Sequence, residues 1–97
     1  MKLLAEEHDL VGRWFDDGKK LAPDETSSRI DRLVQEYLSE LGTDPSGWDT
    51  LYRDPNDGRL WELTYPQSDT EGGGPPRLTE IDAAAARAKY GNVTGAE

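Results

Sequence analysis

A five-residue turn at positions 54–58, Asp-Pro-Asn-Asp-Gly, places the strongest single constraint on how this chain folds. Pro55 presets its own φ, the Asn and Asp side chains favour local turns, and Gly58 permits a positive φ. The segments on either side, residues 48–53 and 59–65, are rich in aromatic residues and leucine. Two such segments joined by a short loop that ends in glycine predict an antiparallel β-hairpin.

An amphipathic helix is predicted upstream of the hairpin, over residues 28–41. Its apolar positions follow the spacing of one helical face; they are Ile30, Leu33, Val34, Tyr37, Leu38 and Leu41. Gly42 is the expected stop, as a left-handed C-cap. Several residues offer capping oxygens at the start, namely Asp24, Thr26, Ser27 and Ser28.

The remaining elements are short. Residues 10–15 predict a strand, the Asp-Asp-Gly turn follows, and residues 19–21 return as a second strand. A last strand is expected at 77–81, and then a helix over 83–90 that Asp82 caps and Gly91 closes. We therefore expect an α+β fold with an antiparallel sheet of four to five strands, one long helix on it and a short C-terminal helix. The whole chain, 1–97, is predicted to be one domain with an ordered core over about 9–91.

The charge balance limits the classes of partner. Twenty acidic residues against eleven basic ones give a formal net charge of −9. Phosphates are repelled by such a surface, so nucleic acid and anionic membranes are excluded as expected partners, whereas a basic protein is favoured. The chain contains no cysteine, and no segment has the apolar length of a membrane span. No secretory signal is recognisable at the N-terminus, and a cytoplasmic location is expected.

Catalytic and metal-binding patterns are sparse. His8 is the single histidine and is expected to be an exposed polar residue. Asp54 with Asp57, and Asp69 with Glu71, are carboxylate pairs that offer acid–base chemistry, although proximity by chance is expected among so many acids. The turn departs from the calcium-loop pattern, and the glycine run lacks the lysine and hydroxyl of a phosphate loop. We expect no metal and no cofactor.

A long central pattern resembles a known family. The chain reads LYRDPNDGR at 51–59, WELTYPQS at 61–68 and GGGPPRL at 72–78. Flanking features agree, with Gly12 and Trp14 near the start, Arg29 at the opening of the helix, and Ala86-Arg87 and Tyr90-Gly91 near the end. This pattern is similar to that of the immunity protein 27 family, small cytoplasmic proteins encoded beside toxins of bacterial polymorphic toxin systems. Glu71 departs from the family pattern, which leads us to expect a histidine there.

The resemblance implies inhibition of a cognate toxin domain by direct binding, with no catalysis. The toxin is expected to be basic, as nucleases usually are, and an ADP-ribosyltransferase or another enzyme remains open. If an acidic surface blocks the toxin, the candidate contacts are Asp54, Asp57, Tyr65, Gln67, Ser68, Asp69 and Glu71. The rest of the motif is interpreted as scaffold, namely Trp48, Gly58, Trp61, Gly72, Gly73, Gly74, Pro75 and Pro76. A small carboxylate-dependent enzyme and a general protein-binding adaptor are the alternatives.

Overall fold

The computed structural model describes residues 3–16, 21–66 and 74–91. The strands are β1 (Asp9–Val11), β2 (Trp14–Asp16), β3 (Leu21–Pro23), β4 (Ser39–Thr43), β5 (Thr50–Arg53), β6 (Leu60–Thr64) and β7 (Arg77–Ile81). The helices are α1 (Glu25–Arg32), continued by a π-helical turn (Leu33–Tyr37), and α2 (Ala83–Tyr90). The predicted α+β fold, with a long helix and a short C-terminal one, is confirmed.

Five of the strands form one antiparallel sheet in the order β1-β7-β6-β5-β4. The predicted hairpin is its centre, since β5 and β6 pair from Thr50 opposite Leu63 to Arg53 opposite Leu60. β7 adds to the other side of β6, with Leu78 opposite Leu63. β2 and β3 form a separate two-stranded sheet. The middle strand of the larger sheet is therefore β6, which carries Trp61.

Each face of the sheet has its own apolar core. Because side chains alternate along a strand, Tyr52 and Leu51 point to opposite faces. The α1 face buries Leu3, Leu10, Ile30, Leu33, Leu38, Tyr52, Trp61, Leu63 and Leu78. The other face is smaller and packs Leu51 against Ala86 and Tyr90 of α2, with Leu41, Leu60 and Ile81 at its border. A chain with few apolar residues thus covers both faces with two helices.

The end of the first helix differs from the prediction. Asp24 is the N-cap, and its carboxylate accepts from Ser27 N, but the helix stops at Tyr37. Leu38 takes an extended conformation, with φ −77° and ψ 149°. The chain then forms β4 on the open edge of β5, so the predicted helix to Leu41 is wrong. Gly42 lies in this strand beside a β-bulge, opposite Leu51, and not at a helix C-cap.

The predicted strand at 10–15 is divided in two. Gly12 separates β1 from β2, and its N–H donates to Pro76 O at 2.8 Å. A Cβ at this position would lie 2.5 Å from Ser27 Oγ and 2.6 Å from Pro76 O, so only glycine fits the approach. The predicted return strand exists as β3, which pairs with β2. It begins at Leu21, and positions 19 and 20 lie outside the described residues.

The N-terminal segment is tied to α1 by a two-pronged ion pair. Arg29 Nη1 lies 2.5 Å from Glu7 Oε2, and Arg29 Nη2 donates to Glu7 Oε1 at 2.7 Å. The same carboxylate accepts from Leu4 N at 2.8 Å. The hydrogen bond from Arg29 is the main reason that the pKa of Glu7 falls from 4.5 to about 2. Paired guanidinium and carboxylate groups of this geometry are among the stronger polar contacts in proteins.

This pair predicts a defined pH dependence of stability. Because the folded-state pKa of Glu7 is depressed, its stabilisation is complete above about pH 4.5 and is lost as the pH falls towards about 2. We expect Glu7→Gln to lower the free energy of unfolding at pH 7 by about 1–2 kcal/mol, after allowance for solvent screening. Urea titrations between pH 7 and pH 3 should show that the difference in unfolding free energy between wild type and variant becomes smaller as the pH falls. A difference that stays constant over this range would contradict the assignment.

Candidate functional site

Asp54 is a structural residue of the hairpin turn. Its side chain is fully buried, and Oδ1 accepts from Tyr37 Oη at 2.6 Å and from Asn56 N at 2.8 Å. Gly58, with φ +80°, donates its backbone N–H to Asp54 O at 2.8 Å and closes the turn. The expectation that Asp54 is exposed is therefore wrong, because its carboxylate supplies the acceptors that the turn and the helix need. Burial, then the bond to Asp54, raises the pKa of Tyr37 to about 12.

Asp57 lies on the outside of the same turn and is paired with Arg59. Its Oδ2 accepts from Arg59 Nε at 2.7 Å, and its Oδ1 accepts from Arg59 N at 3.0 Å. These bonds, the backbone N–H first, lower the pKa of Asp57. The two carboxylates thus share a turn and have separate partners, one inside the protein and one at its surface.

The other motif residues divide between core and surface. Trp61 is fully buried, Gly74 and Pro75 are buried, and Pro76 is half-buried. Tyr65 is half-buried. The remaining predicted contacts and glycines lie outside the described residues; these are Gln67, Ser68, Asp69, Glu71, Gly72 and Gly73.

Trp48 is the exposed aromatic residue that sequence reasoning placed in the scaffold. It is 54% exposed, more than Leu4 or Val11, the other exposed large apolar side chains of the described residues. Its ring packs edge-to-face on Tyr65, with centroids 6.2 Å apart and an interplanar angle of 69°. A tryptophan held at the surface in this way has the character of a binding residue.

A side-chain-bonded turn presents this tryptophan. Asp44 Oδ1 accepts from Ser46 Oγ at 2.7 Å, from Gly47 N at 3.1 Å and from Asp49 N at 3.3 Å. Gly47 has φ +81°, a conformation that a side chain would strain. Ser46 Oγ in turn accepts from Trp48 N at 3.1 Å. The signal available in the sequence was this Asp-Pro-Ser-Gly turn directly before the tryptophan.

Two concavities meet at the Trp48–Tyr65 pair. The first, of about 600 Å³, we call the aromatic groove; it lies on the α1 side and is lined by Val34, Gly47, Trp48, Thr50, Tyr52, Leu63 and Tyr65. The second, of about 560 Å³, we call the polar concavity because charged side chains form part of its lining; it is lined by Ser46, Trp48, Asp49, Glu62, Thr64, Tyr65, Pro66, Arg77 and Thr79. The two rings therefore form the ridge between an apolar surface and a charged one.

The charges of the second concavity are already paired within the protein. Lys89 Nζ lies 2.6 Å from Asp49 Oδ2 and 2.5 Å from Glu62 Oε2. Tyr90 Oη also donates to Glu62 Oε2 at 2.7 Å. Burial, and then this bond, raises the pKa of Tyr90. Arg77 donates to both carboxylate oxygens of Asp9, at 2.9 and 2.7 Å. The Lys89 and Tyr90 contacts attach α2 to the sheet, and each charged side chain that lines the polar concavity has a partner within the protein.

Groups for other chemistry are dispersed. Within residues 3–16, 21–66 and 74–91, no cluster of three or more His, Cys, Asp or Glu side chains is arranged to hold a metal ion. His8 is exposed, as expected, and its Nδ1 lies 2.6 Å from Glu80 Oε1. None of the helices in the described part of the chain is long and apolar enough to cross a bilayer.

Comparison with known families identifies the class of protein. The model of the family described as immunity protein 27 matches residues 16–82, which is most of this chain. The chain therefore belongs to the immunity protein 27 family, as its motif predicted. No curated protein and no solved structure gives a match.

The structure predicts different costs for removing the two turn carboxylates. Asp54→Ala takes the acceptor from the Tyr37 hydroxyl and from the Asn56 amide of the turn, so we expect the free energy of unfolding to fall by about 2–3 kcal/mol. Asp57→Ala, the matched control, removes an exposed pair and should cost about 1 kcal/mol or less. Urea denaturation followed by tryptophan fluorescence measures both values. Equal losses in the two variants would show that Asp54 does not hold the turn.

Proposed function

We propose that this protein binds the toxic domain of a cognate bacterial effector and neutralises it by stoichiometric occlusion, with no turnover of its own. The observation that carries the proposal is membership of the immunity protein 27 family across residues 16–82. Proteins of that class act by binding, and the paired or buried state of Asp54 and Asp57 is compatible with a non-catalytic role.

The expected partner is a basic protein, of which a nuclease or an ADP-ribosyltransferase-like domain are candidates. A net charge of −9 favours encounter with such a surface and disfavours anionic competitors. We propose contacts from Asp57, Tyr65, Gln67, Ser68, Asp69 and Glu71, and we assign Asp54 to the scaffold because it is buried. We place the inhibition in the cytoplasm, where a producing cell would meet its own toxin.

Reconstitution with the neighbouring gene's toxic domain tests this function. We expect an inactive form of that domain to co-purify with the protein, to give one-to-one binding by calorimetry, and to lose affinity as salt rises. The active domain should be silenced in proportion to the protein added, up to equivalence. Inhibition at a small fraction of equivalence would indicate a catalytic antidote, and absence of any binding would remove the proposal.

Charge reversal in the segment before the glycines tests the acidic contacts. We expect Asp69→Lys combined with Glu71→Lys to weaken binding of the toxic domain, because two attractive carboxylates become repulsive cations. Calorimetry measures the change, and the thermal midpoint of the free variant reports whether folding is intact. Unchanged affinity would exclude this segment from the interface while leaving the immunity function standing.

A further inference from the structure

We propose that the aromatic groove binds an arginine side chain of the toxic domain, with the Trp48 and Tyr65 rings against the guanidinium and with Asp31 and Glu40 as its counter-charges. This inference rests on the proposed function and adds to it a contact surface on the α1 side of the sheet. None of these residues except Tyr65 was expected from the sequence to contact the partner.

The first argument is the exposure of Trp48, one of the three aromatic residues that line the groove. Trp48, Tyr52 and Tyr65 line one groove, and Trp48 leaves 54% of its surface in water. The Asp44 turn and the contact with Tyr65 hold this ring in place, so it is presented before any partner arrives. A preorganised aromatic side chain loses little conformational entropy on binding, which is why such residues dominate interface energies.

The second argument is the position of unpaired carboxylates. Glu40 lies directly across from Tyr52 in the β4–β5 pairing. Asp31 precedes Val34, a groove residue, by about one helical turn. Both side chains are exposed, and neither has an ion-pair partner among the described residues.

The electrostatic influence of these carboxylates reaches the groove. Burial is the larger cause of the raised pKa of Tyr65, and the charge of Asp31 adds to it. Burial likewise raises the pKa of Tyr52, and Glu40 adds to it. Negative potential therefore acts on two of the rings that line the groove, and a cation placed there would be attracted by both carboxylates.

The third argument selects arginine as the occupant. A planar guanidinium stacks on aromatic rings and forms forked bonds to carboxylates, a combination that the lysine ammonium cannot reproduce. The protein itself already places a guanidinium between an aromatic ring and carboxylates, because Arg59 Cζ lies 4.9 Å from the centroid of the Trp61 ring while the group pairs with Asp57 and Glu80. The polar concavity offers no equivalent, since Lys89 already pairs with its carboxylates.

The first experiment measures binding of the inactive toxic domain. Trp48→Ala should raise the dissociation constant by about a hundredfold, the effect expected of an interface hot spot. Asp31→Lys combined with Glu40→Lys should raise the dissociation constant by a similar factor. Glu36→Lys is the control and should retain wild-type affinity within a few-fold. Glu36 is an exposed acid near Asp31 on the helical segment, but unlike Asp31 and Glu40 it is not among the causes of the raised pKa of either groove tyrosine. Thermal midpoints of all variants verify folding.

The second experiment needs no toxin. N-acetyl-arginine methylamide is titrated into the isotope-labelled protein while the indole N–H signals are followed by NMR. We expect the Trp48 signal to shift and the buried Trp61 signal to stay fixed, whereas N-acetyl-lysine methylamide should produce a smaller shift. The double variant Asp31→Lys with Glu40→Lys should abolish the response to arginine.

The outcomes separate this inference from the general function. Wild-type affinity for the toxic domain in the Trp48→Ala variant would overturn the groove as a contact, with immunity by binding intact. Loss of affinity with Trp48→Ala alone, and not with the charge reversals, would assign an apolar occupant and overturn the arginine. If the toxic domain does not bind the wild-type protein, the proposed function fails. Independently of that result, a Trp48 indole signal that does not shift during the arginine titration overturns the groove as an arginine site.

Discussion

The guanidinium of Arg59 joins the parts of this protein that the chain keeps far apart. It donates to Asp57 in its own turn, to Glu80 on β7, and to the backbone oxygens of Leu4 and Glu7. Its Cζ lies over the ring of Trp61, the largest fully buried side chain among the described residues. Only 16% of the Arg59 side chain is exposed, and its bonds to Glu7 O and Glu80 are partly shielded from competing water. The central hairpin, the last strand of the sheet and the N-terminal segment are thereby fixed in one arrangement around the core tryptophan.

Elements set by local chemistry were predictable from the sequence. The turn at 54–58, the strand at 77–81 and the helix that Asp82 caps all depend on residues adjacent to them, and the structure confirms each. The end of the first helix was not predictable in this way. Leu38 and Leu41 continue the helical spacing, yet Leu38 packs beneath α1 and Leu41 borders the core of the opposite face. Pairing with the distant edge of β5 decides the outcome there, and no local signal reports it.

The candidate site shows the same limit at the level of side chains. Asp54 has the sequence context of an exposed turn residue, and its burial depends on a hydroxyl that Tyr37 brings from the helical segment. Trp48 is a large aromatic residue of the kind expected in a core, and its exposure depends on the turn that Asp44 organises. The predicted exposed residue is buried and the predicted scaffold residue is exposed, because burial is a property of tertiary packing. Trp48 and Tyr65 border both concavities, and Tyr65 alone of the two was predicted from the sequence to contact a partner.

The borders of the sheet bear on how a partner can approach. β4 is an edge strand interrupted by a bulge between Glu40 and Gly42, and β1, at the other edge, is only three residues long. A short or kinked border that carries a charge is a poor template for another strand, because the ladder of backbone groups is broken or repelled. Growth of the sheet by β-augmentation is therefore disfavoured at either end. A partner is therefore expected to bind through side chains of the faces and loops, and the same two borders protect the protein from edge-to-edge aggregation.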